Sequence, residues 1–412
     1  MTSPAHHPPL PEALAHQLQA VAIPTGLRGF GAPDGAPPGQ AFAVTLAEGR
    51  VTRIEAVDGP PRGTLLSAFA DLHVHLDKNF TVQRSGAVQG DLFAAIERIA
   101  IERDGWTAED LHQRMTRALA QAHACGTRAL RTHLDWMGGP PPPSVAVLQV
   151  LRTAWADRLT LQWVSLTPLD LFADAAVVAP IAEAVRSGGG ILGAFVYRNE
   201  DIDAKLQRVF SLARAHDLDL DFHVDEGLHA DADGLRRIAQ LCVAHGWQGR
   251  VTCGHACSLS VQPSAEARET LAACAAAGIH LVALPTTNLY LQGAWDATPL
   301  QRGITRLKEA LSLGLSPSIA TDNVADAFYP YGSYDLLENF GLGVQVAHLA
   351  PAQDWLTSIT THPARAMGLD WDGCLRPGCP ADLVLLEACD EYALLSPQGR
   401  QRTVLRAGKV LA

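Results

Sequence analysis

Asp71-Leu72-His73-Val74-His75-Leu76-Asp77 closes the first of a series of apolar segments in this sequence. Seven further apolar segments rich in β-branched residues follow it. They end at Leu130–Asp135, Leu161–Pro168, Ile191–Tyr197, Leu218–Glu226, Val251–Cys257, His280–Asn288 and Ser318–Asn323. Six of the seven intervals between consecutive segment ends span 26–37 residues, which is the length of one strand–helix–strand unit.

Stretches with helical periodicity lie between most of these segments. They include Leu92–Ala100, Glu109–Ala124, Leu235–His245 and Ala265–Ala277. Eight strand–helix units predict an α/β fold with a closed (β/α)8 TIM barrel. A doubly wound open sheet is the alternative interpretation, but the Gly-rich phosphate loop typical of that fold is missing from the sequence.

Both ends of the sequence have the pattern of short strands. Residues 41–57 alternate in polarity around a Glu48-Gly49 turn, and residues 381–386 and 402–411 show the same pattern of short strands. Neither end is long enough to bury a core alone. We therefore predict a small β-sandwich built from residues 1–60 and 371–412, with the barrel at 61–370 and a poorly ordered segment at 1–20.

Composition excludes several classes of protein. The chain has 412 residues, an ordinary globular share of apolar residues and a net charge of −11, without a basic stripe that would bind nucleic acid. No signal peptide or long apolar run indicates secretion or a membrane partner. Eight scattered cysteines set mostly in apolar segments are typical of reduced thiols. These features predict a cytoplasmic enzyme.

Polar residues interrupt the apolar segments at the ends where a barrel places its active site. His73 and His75 point the same way because side chains alternate along a strand. His223, His255 and Asp322 follow at the ends of three later strands. Three imidazoles and one carboxylate suit zinc or iron(II) with a position left for water, and His255 is either a further ligand or a residue that holds the water.

Other residues near these strand ends have more than one interpretation. Glu226 is placed to take a proton from metal-activated water, although it would also fit as a helix cap or as a partner of His223. Asp77 and Lys78 are expected to form an ion pair. His133 is expected to be a pocket or core residue, and His229 lies close enough to line the mouth.

These motifs, in this order, resemble the amidohydrolase superfamily and, within it, the cytosine deaminase group. The resemblance spans residues 66–366. The matching segments are His73–Asp77, Arg131–Asp135, His223–Glu226, Gly254-His255, Leu291–Glu309 and Asp322–Gly332.

The resemblance implies a distorted barrel of the metal-dependent hydrolase type and a site with one divalent ion per chain, Zn²⁺ or Fe²⁺. Its metal ligands would be His73, His75, His223 and Asp322. Glu226, His255 and Asp322 would be catalytic: Glu226 shuttles protons, His255 holds the attacking water, and Asp322 also accepts a proton. Two-metal members carry a lysine at the end of strand four, and residues 188–198 contain none. A homo-oligomer is also implied.

The sequence departs from the cytosine deaminase pattern at the positions that would recognise the substrate. Leu169 stands where a glutamine amide is expected, Asn323 replaces a second aspartate, and Phe328 replaces a tryptophan. With Asp77 and Lys78 these are the predicted substrate-binding residues. Because buried polar groups decide selectivity, the changes argue against cytosine as the substrate more than against the reaction type.

The sequence thus predicts a hydrolase of carbon–nitrogen bonds other than peptide bonds, with a small nitrogen heterocycle as its partner. It would replace an exocyclic amino or alkylamino group by oxygen, through metal-activated hydroxide. The alternative is an amidohydrolase that cleaves a cyclic or acyclic amide. A barrel that binds a small molecule without turnover is a third interpretation.

Overall fold

The computed structural model describes residues 17–30, 39–396 and 398–411. The chain forms two compact units, one from residues up to 68 together with those from 373 onward, and the other from residues 69–372. The predicted poorly ordered segment, residues 1–20, lies outside the described residues as far as residue 16. Its last residues belong to the first strand.

The described part of the chain contains fifteen strands. They are β1 (Gln17–Ala22), β2 (Ala41–Ala47), β3 (Arg50–Val57), β4 (Thr64–Ser67), β5 (Phe69–Val74), β6 (Thr127–Asp135), β7 (Thr160–Pro168), β8 (Ile191–Val196), β9 (Leu220–Val224), β10 (Val251–His255), β11 (His280–Ala283), β12 (Ser318–Ile319), β13 (Leu383–Leu386), β14 (Arg402–Arg406) and β15 (Lys409–Val410).

The same residues contain thirteen α-helices. They are α1 (Val82–Ser85), α2 (Leu92–Arg103), α3 (Ala108–Ala124), α4 (Pro143–Ala154), α5 (Ala175–Ser187), α6 (Ile202–His216), α7 (Gly234–Ala244), α8 (Ser264–Ala276), α9 (Pro285–Leu291), α10 (Leu307–Ser312), α11 (Leu336–Val346), α12 (Thr361–Ala366) and α13 (Glu391–Leu395). Short 3₁₀ helices occupy Thr25–Leu27, Leu169–Ala173, Cys257–Ser260, Ala352–Ile359 and Gln398–Arg400.

Strands β5 to β12 form one parallel sheet in chain order, with helices in the connections. The sheet closes on itself because Val74 at the end of β5 bridges Asp322 beyond β12, where the Asp322 N–H donates to the His73 carbonyl at 2.8 Å. The predicted TIM barrel is confirmed. Its largest apolar core contains residues of both the strands and the helices that cover them.

The seventh barrel strand ends within the segment His280–Asn288. Strand β11 ends at Ala283 and Pro285 begins helix α9. Proline lacks the N–H that a central strand must donate and fits the first turn of a helix, so this residue ends the strand. The four predicted helical stretches coincide with α2, α3, α7 and α8 within a few residues.

The small unit is built from both ends of the chain, as predicted. Its seven strands form one hydrogen-bonded sheet in the order β15-β14-β13-β4-β1-β2-β3. The N-terminal hairpin β2–β3 turns at Glu48-Gly49, and β13 pairs antiparallel with β4 through Leu383 and Ser67. None of the described helices combines the length and the apolar character that a bilayer span requires. The eight cysteines, all among the described residues, form no disulfide.

Candidate active site

Four side chains meet at the carboxyl ends of the barrel strands. The Nε2 atom of His223 on β9 lies 3.1 Å from the Nε2 atoms of both His73 and His75. Oδ1 of Asp322 lies 3.2 Å from Nε2 of His75 and 3.5 Å from Nε2 of His73. Three ring nitrogens, of His73, His75 and His223, therefore lie together, and a carboxylate oxygen of Asp322 lies beside two of them.

This donor set fits a divalent ion. Ligand atoms held about 2.1 Å from a four-coordinate ion lie about 3.4 Å apart, close to the separations above. Burial lowers the pKa of His73, His75 and His223 well below the usual value, and neighbouring charged side chains lower it further. The imidazoles are therefore neutral, which is the form that binds metal. Strand β8 carries no lysine to bridge a second ion.

The loops that follow the strands adopt unusual backbone conformations at two of these positions. His255 has φ = 70° and Asp322 has φ = 65°, in the left-handed region that residues with side chains rarely occupy. Such strain costs roughly 1–3 kcal/mol and is typical of functional sites.

Glu226 and His255 form a second buried pair beside the ligands. Oε1 of Glu226 lies 3.2 Å from Nδ1 of His255, and the Asn288 amide also contacts that nitrogen at 3.1 Å. Burial raises the pKa of Glu226 well above its usual value, and the carboxylate of Asp322 adds to the effect. Burial lowers the pKa of His255 to about 4. The pair thus combines a carboxyl group of raised pKa with an imidazole of lowered pKa.

His73 is positioned by packing. The ring of His133 stacks on it with a centroid separation of 3.9 Å, and a Cβ added to Gly254 would lie 2.9 Å from two atoms of the His73 ring. His133 is itself held by Asp221 at 3.0 Å, which also accepts from Arg131 at 3.0 Å. His133 is therefore a core residue beneath the site, one of its two predicted placements.

An inner cavity of about 100 Å³ opens onto these groups. One wall is a face of helix α2, which contributes Leu92, Ile96, Ile99 and Arg103 at helical spacing. The other apolar residues of the lining are Met137, Leu166, Pro168, Phe195 and Phe328. A largely apolar cavity with polar groups at defined places is typical of a small-molecule binding site.

Charged side chains also line this cavity. Lys78 donates to Oδ1 of Asp135 and Arg103 donates to Oδ2, each at 2.7 Å. The predicted pair of Asp77 with Lys78 is wrong, because Oδ2 of Asp77 accepts the backbone N–H of Asp135 instead. Asp77 is fully buried and is not among the cavity-lining residues, whereas Lys78 is.

Of the other three predicted substrate-binding residues, two line the inner cavity and one does not. Asn323 and Phe328 line the inner cavity. Leu169 does not, because it begins a 3₁₀ helix after β7 and is fully buried in the large apolar core. The preceding Pro168 lines the cavity in its place.

A larger outer cavity of about 590 Å³ shares Leu92 and Glu226 with the inner one. His229 lines it, as predicted for the mouth, and its Nδ1 is hydrogen-bonded to the Tyr197 hydroxyl. Phe93 of α2 stacks near the same tyrosine, with ring centroids 6.1 Å apart. This cavity offers a path between the inner site and its surroundings.

Sequence reasoning missed three residues of the site. Arg103 and Asn288 lie on helices, where nothing in the local pattern separates them from surface or cap residues. Asp135 gave a usable signal, because it follows His133 by two positions on one strand and therefore shares its side of β6.

Comparison with known proteins agrees with this geometry. The sequence pattern of the amidohydrolase family matches residues 151–412. The chain is 39% identical over 352 residues to a pterin deaminase of Rhizobium rhizogenes strain K84, which covers 85% of this chain and 80% of that protein. It is 24% identical over 389 residues to an N-isopropylammelide isopropyl amidohydrolase of Pseudomonas sp. strain ADP, covering 90% and 93%.

Among solved structures, a 5-methylcytosine deaminase from Klebsiella pneumoniae liganded with phosphonocytosine superimposes with a TM-score of 0.84 at 24% identity, covering 96% of this chain and 98% of that one. This likeness supports the fold. The family match and the 39% identical relative go further. The resemblance seen in the motifs is confirmed, and the chain belongs to the amidohydrolase family.

Proposed function

We propose that this chain is a metal-dependent aminohydrolase that replaces an exocyclic amino or alkylamino group of a small nitrogen heterocycle by oxygen. The observation that carries the proposal is Glu226, a buried carboxyl group beside His255 on the same apolar cavity onto which His75 and His223 open. The 39% identical pterin deaminase supports this reaction and favours pteridine-type rings as substrates.

We infer that His73, His75, His223 and Asp322 hold one zinc or iron(II) ion. Four pairs of donor atoms in this set lie 3.1–3.5 Å apart, and this proximity supports the ligand set. An ion bound there would lower the pKa of a bound water toward neutrality. The residues around it keep the three imidazoles neutral and enclose the site.

Proton transfer falls to Glu226 in this proposal. Deamination forms a C–O bond to the oxygen of water and breaks the C–N bond, so protons must move from water to the departing nitrogen. Glu226 has a raised pKa and contacts His255, and it is therefore suited to take a proton and to deliver it again. His255 would hold the water, and Asp322 would provide a second proton acceptor.

A nitrogen-release assay tests the function. Purified, metal-loaded protein is offered pterins, aminopyrimidines, aminotriazines and cyclic amides, and the products are identified as ammonia, alkylamine or a ring-opened acid. We expect ammonia or alkylamine from an aromatic aminoheterocycle. Turnover confined to cyclic amides would instead favour amide hydrolysis, and no turnover with any compound would contradict an enzyme of this class.

The variant Glu226→Gln is the paired arm of that assay. We expect its metal content to equal that of the unsubstituted protein and its turnover to fall at least about 10²-fold, the usual size of general acid–base effects. Metal content by elemental analysis is the control. Unchanged turnover in the metal-replete variant would remove Glu226 from the mechanism.

The proposal retains two further predictions from the sequence, a cytoplasmic location and a homo-oligomeric state. Cysteines that form no disulfide among the described residues support the first. The second depends on the family resemblance, and sedimentation of the purified protein would decide it.

A further inference from the structure

A group of charged residues on the inner cavity has no role in the chemistry described above. Lys78, Arg103 and Asp135 all line this cavity. Lys78 is only 3% exposed, although a lysine is rarely buried unless it is paired. The cluster thus places two cations and one carboxylate in a largely apolar slot.

The hydrogen bonds within this cluster leave some of its N–H groups unused. Both oxygens of Asp135 are occupied, one by Lys78 and the other by Arg103. An ammonium has three N–H groups and a guanidinium five, so donors remain after these contacts. Nε of Arg103 is buried without a hydrogen-bond partner among the described residues. The unused groups are therefore donors, and the matching ligand group is an acceptor.

The rest of the cavity leaves few other donors for such a group. Strand β7 contributes Leu166 and Pro168, which carry no polar side-chain atom. The amide nitrogen of Asn323 uses one of its two N–H groups on Asp326 at 2.7 Å, so it offers at most one uncharged donor. Glu226 and His255 are paired with each other. Lys78 and Arg103 are thus the charged donors on this cavity apart from the groups assigned to metal binding and proton transfer.

We propose that Lys78 and Arg103, held by Asp135, form a subsite for a carbonyl oxygen on the substrate ring. Lys78 also lies 5.0 Å from the centre of the Phe328 ring, which fixes its ammonium beside an aromatic surface suited to stack a flat ring. This inference rests on the proposed function and narrows it. The substrates are aminoheterocycles that bear an oxo group, and simple aminoheterocycles without one are rejected.

Matched substrate pairs test the subsite. The pairs are pterin with 2-aminopteridine, and isocytosine with 2-aminopyrimidine, because the members of each pair differ in the oxo group and the ring N–H that accompanies it. The variants are Lys78→Met and Arg103→Gln. The control is Arg98→Gln on the same helix, whose guanidinium donates to the Ser85 carbonyl and does not line the cavity.

We expect the unsubstituted protein to prefer the oxo member in kcat/KM. Each test variant should lower kcat/KM for the oxo member roughly 10- to 100-fold, the effect of losing a hydrogen bond from a charged donor, and should change kcat/KM for the other member little. The control variant should keep the preference for the oxo member. Arg103→Lys should retain more of this preference than Arg103→Gln, because lysine is a cationic donor.

A test variant that lowers kcat/KM equally for both members of a pair, or that keeps the full preference for the oxo member, overturns the subsite. An unsubstituted protein that shows no preference for the oxo member also overturns it. Calorimetric binding of the same pairs to metal-loaded protein separates the two proposals, because binding reports the oxo preference even if no nitrogen is released. Absence of nitrogen release with a preference in binding would contradict the proposed function alone.

Discussion

At the scale of single residues, the site depends on how His73 is oriented. Metal-binding histidines usually donate their second ring N–H to an acceptor that fixes the ring. Among the described residues, Nδ1 of His73 has no hydrogen-bond partner. The ring is instead held between the His133 ring and the backbone of Gly254. Its orientation is thus set by shape.

Gly254→Ala tests this arrangement. The new methyl group would lie 2.9 Å from the His73 ring, and the stacked His133 leaves the ring little room to retreat. We expect at least about 10-fold weaker metal binding, as for other residues that support metal ligands, with the secondary structure intact. Metal affinity by competition with a chelator and circular dichroism measure the two effects.

Gly105→Ala is the matched control for this substitution. Its new methyl group would meet the nearest atom, the Glu102 carbonyl oxygen, at an ordinary 3.5 Å. Metal affinity should therefore be unchanged. Equal affinity of the Gly254→Ala variant and the unsubstituted protein would show that the packing of His73 does not position it.

At the scale of elements, helix α2 forms a wall of the inner cavity and carries one residue of the proposed subsite. Its first turn is capped by Asp91, whose carboxylate accepts from the N–H groups of Phe93 and Ala94. Losing such a cap costs about 0.5–2 kcal/mol of helix stability. The placement of the cavity wall therefore depends on a polar contact at the start of this helix.

We expect Asp91→Ala to raise KM several-fold with a smaller change in kcat, and to speed amide hydrogen exchange in residues 92–103. Asp174→Ala removes the equivalent cap from α5, whose residues do not line the cavity, and should leave KM unchanged. Equal effects of the two substitutions on KM would show that the cap acts on global stability and not on the wall.

Elements also show how far the sequence could be interpreted. Strand ends and long periodic helices were predictable because their patterns are local, and the proximity of the proposed metal ligands was predictable because parallel strands end at one face. The contact of Arg103 with Asp135 joins residues whose proximity depends on how α2 packs. The burial of Leu169 likewise depends on a 3₁₀ turn after β7 that no local pattern announced.

At the scale of the whole molecule, buried acids make stability depend on pH. Burial raises the pKa of Asp71, Asp225 and Asp326 to about 7 each. The net charge of −11 adds self-repulsion at neutral pH. An acid with a raised pKa in the folded state contributes stability below its unfolded value near 4, and this contribution is lost as the pH rises through about 7.

For metal-free protein we therefore expect the free energy of unfolding in urea to fall between pH 5 and pH 8. Asp71→Asn should make this decline shallower, because the amide resembles the protonated acid and cannot ionise. The full contribution of this residue is on the order of 4 kcal/mol between its two pKa values. Parallel pH curves for the variant and the unsubstituted protein would contradict the assignment.

The small sheet has a consequence for the order in which the chain folds during synthesis. Strand β4 pairs with β13, which leaves the ribosome more than 300 residues later. At translation rates of 5–20 residues per second this delay is roughly 15 to 60 s. During that time the edge of β4 that faces away from β1 lacks its partner strand, and unpaired edges invite association with other chains. The small sheet is therefore open at β4 until β13 has been synthesised.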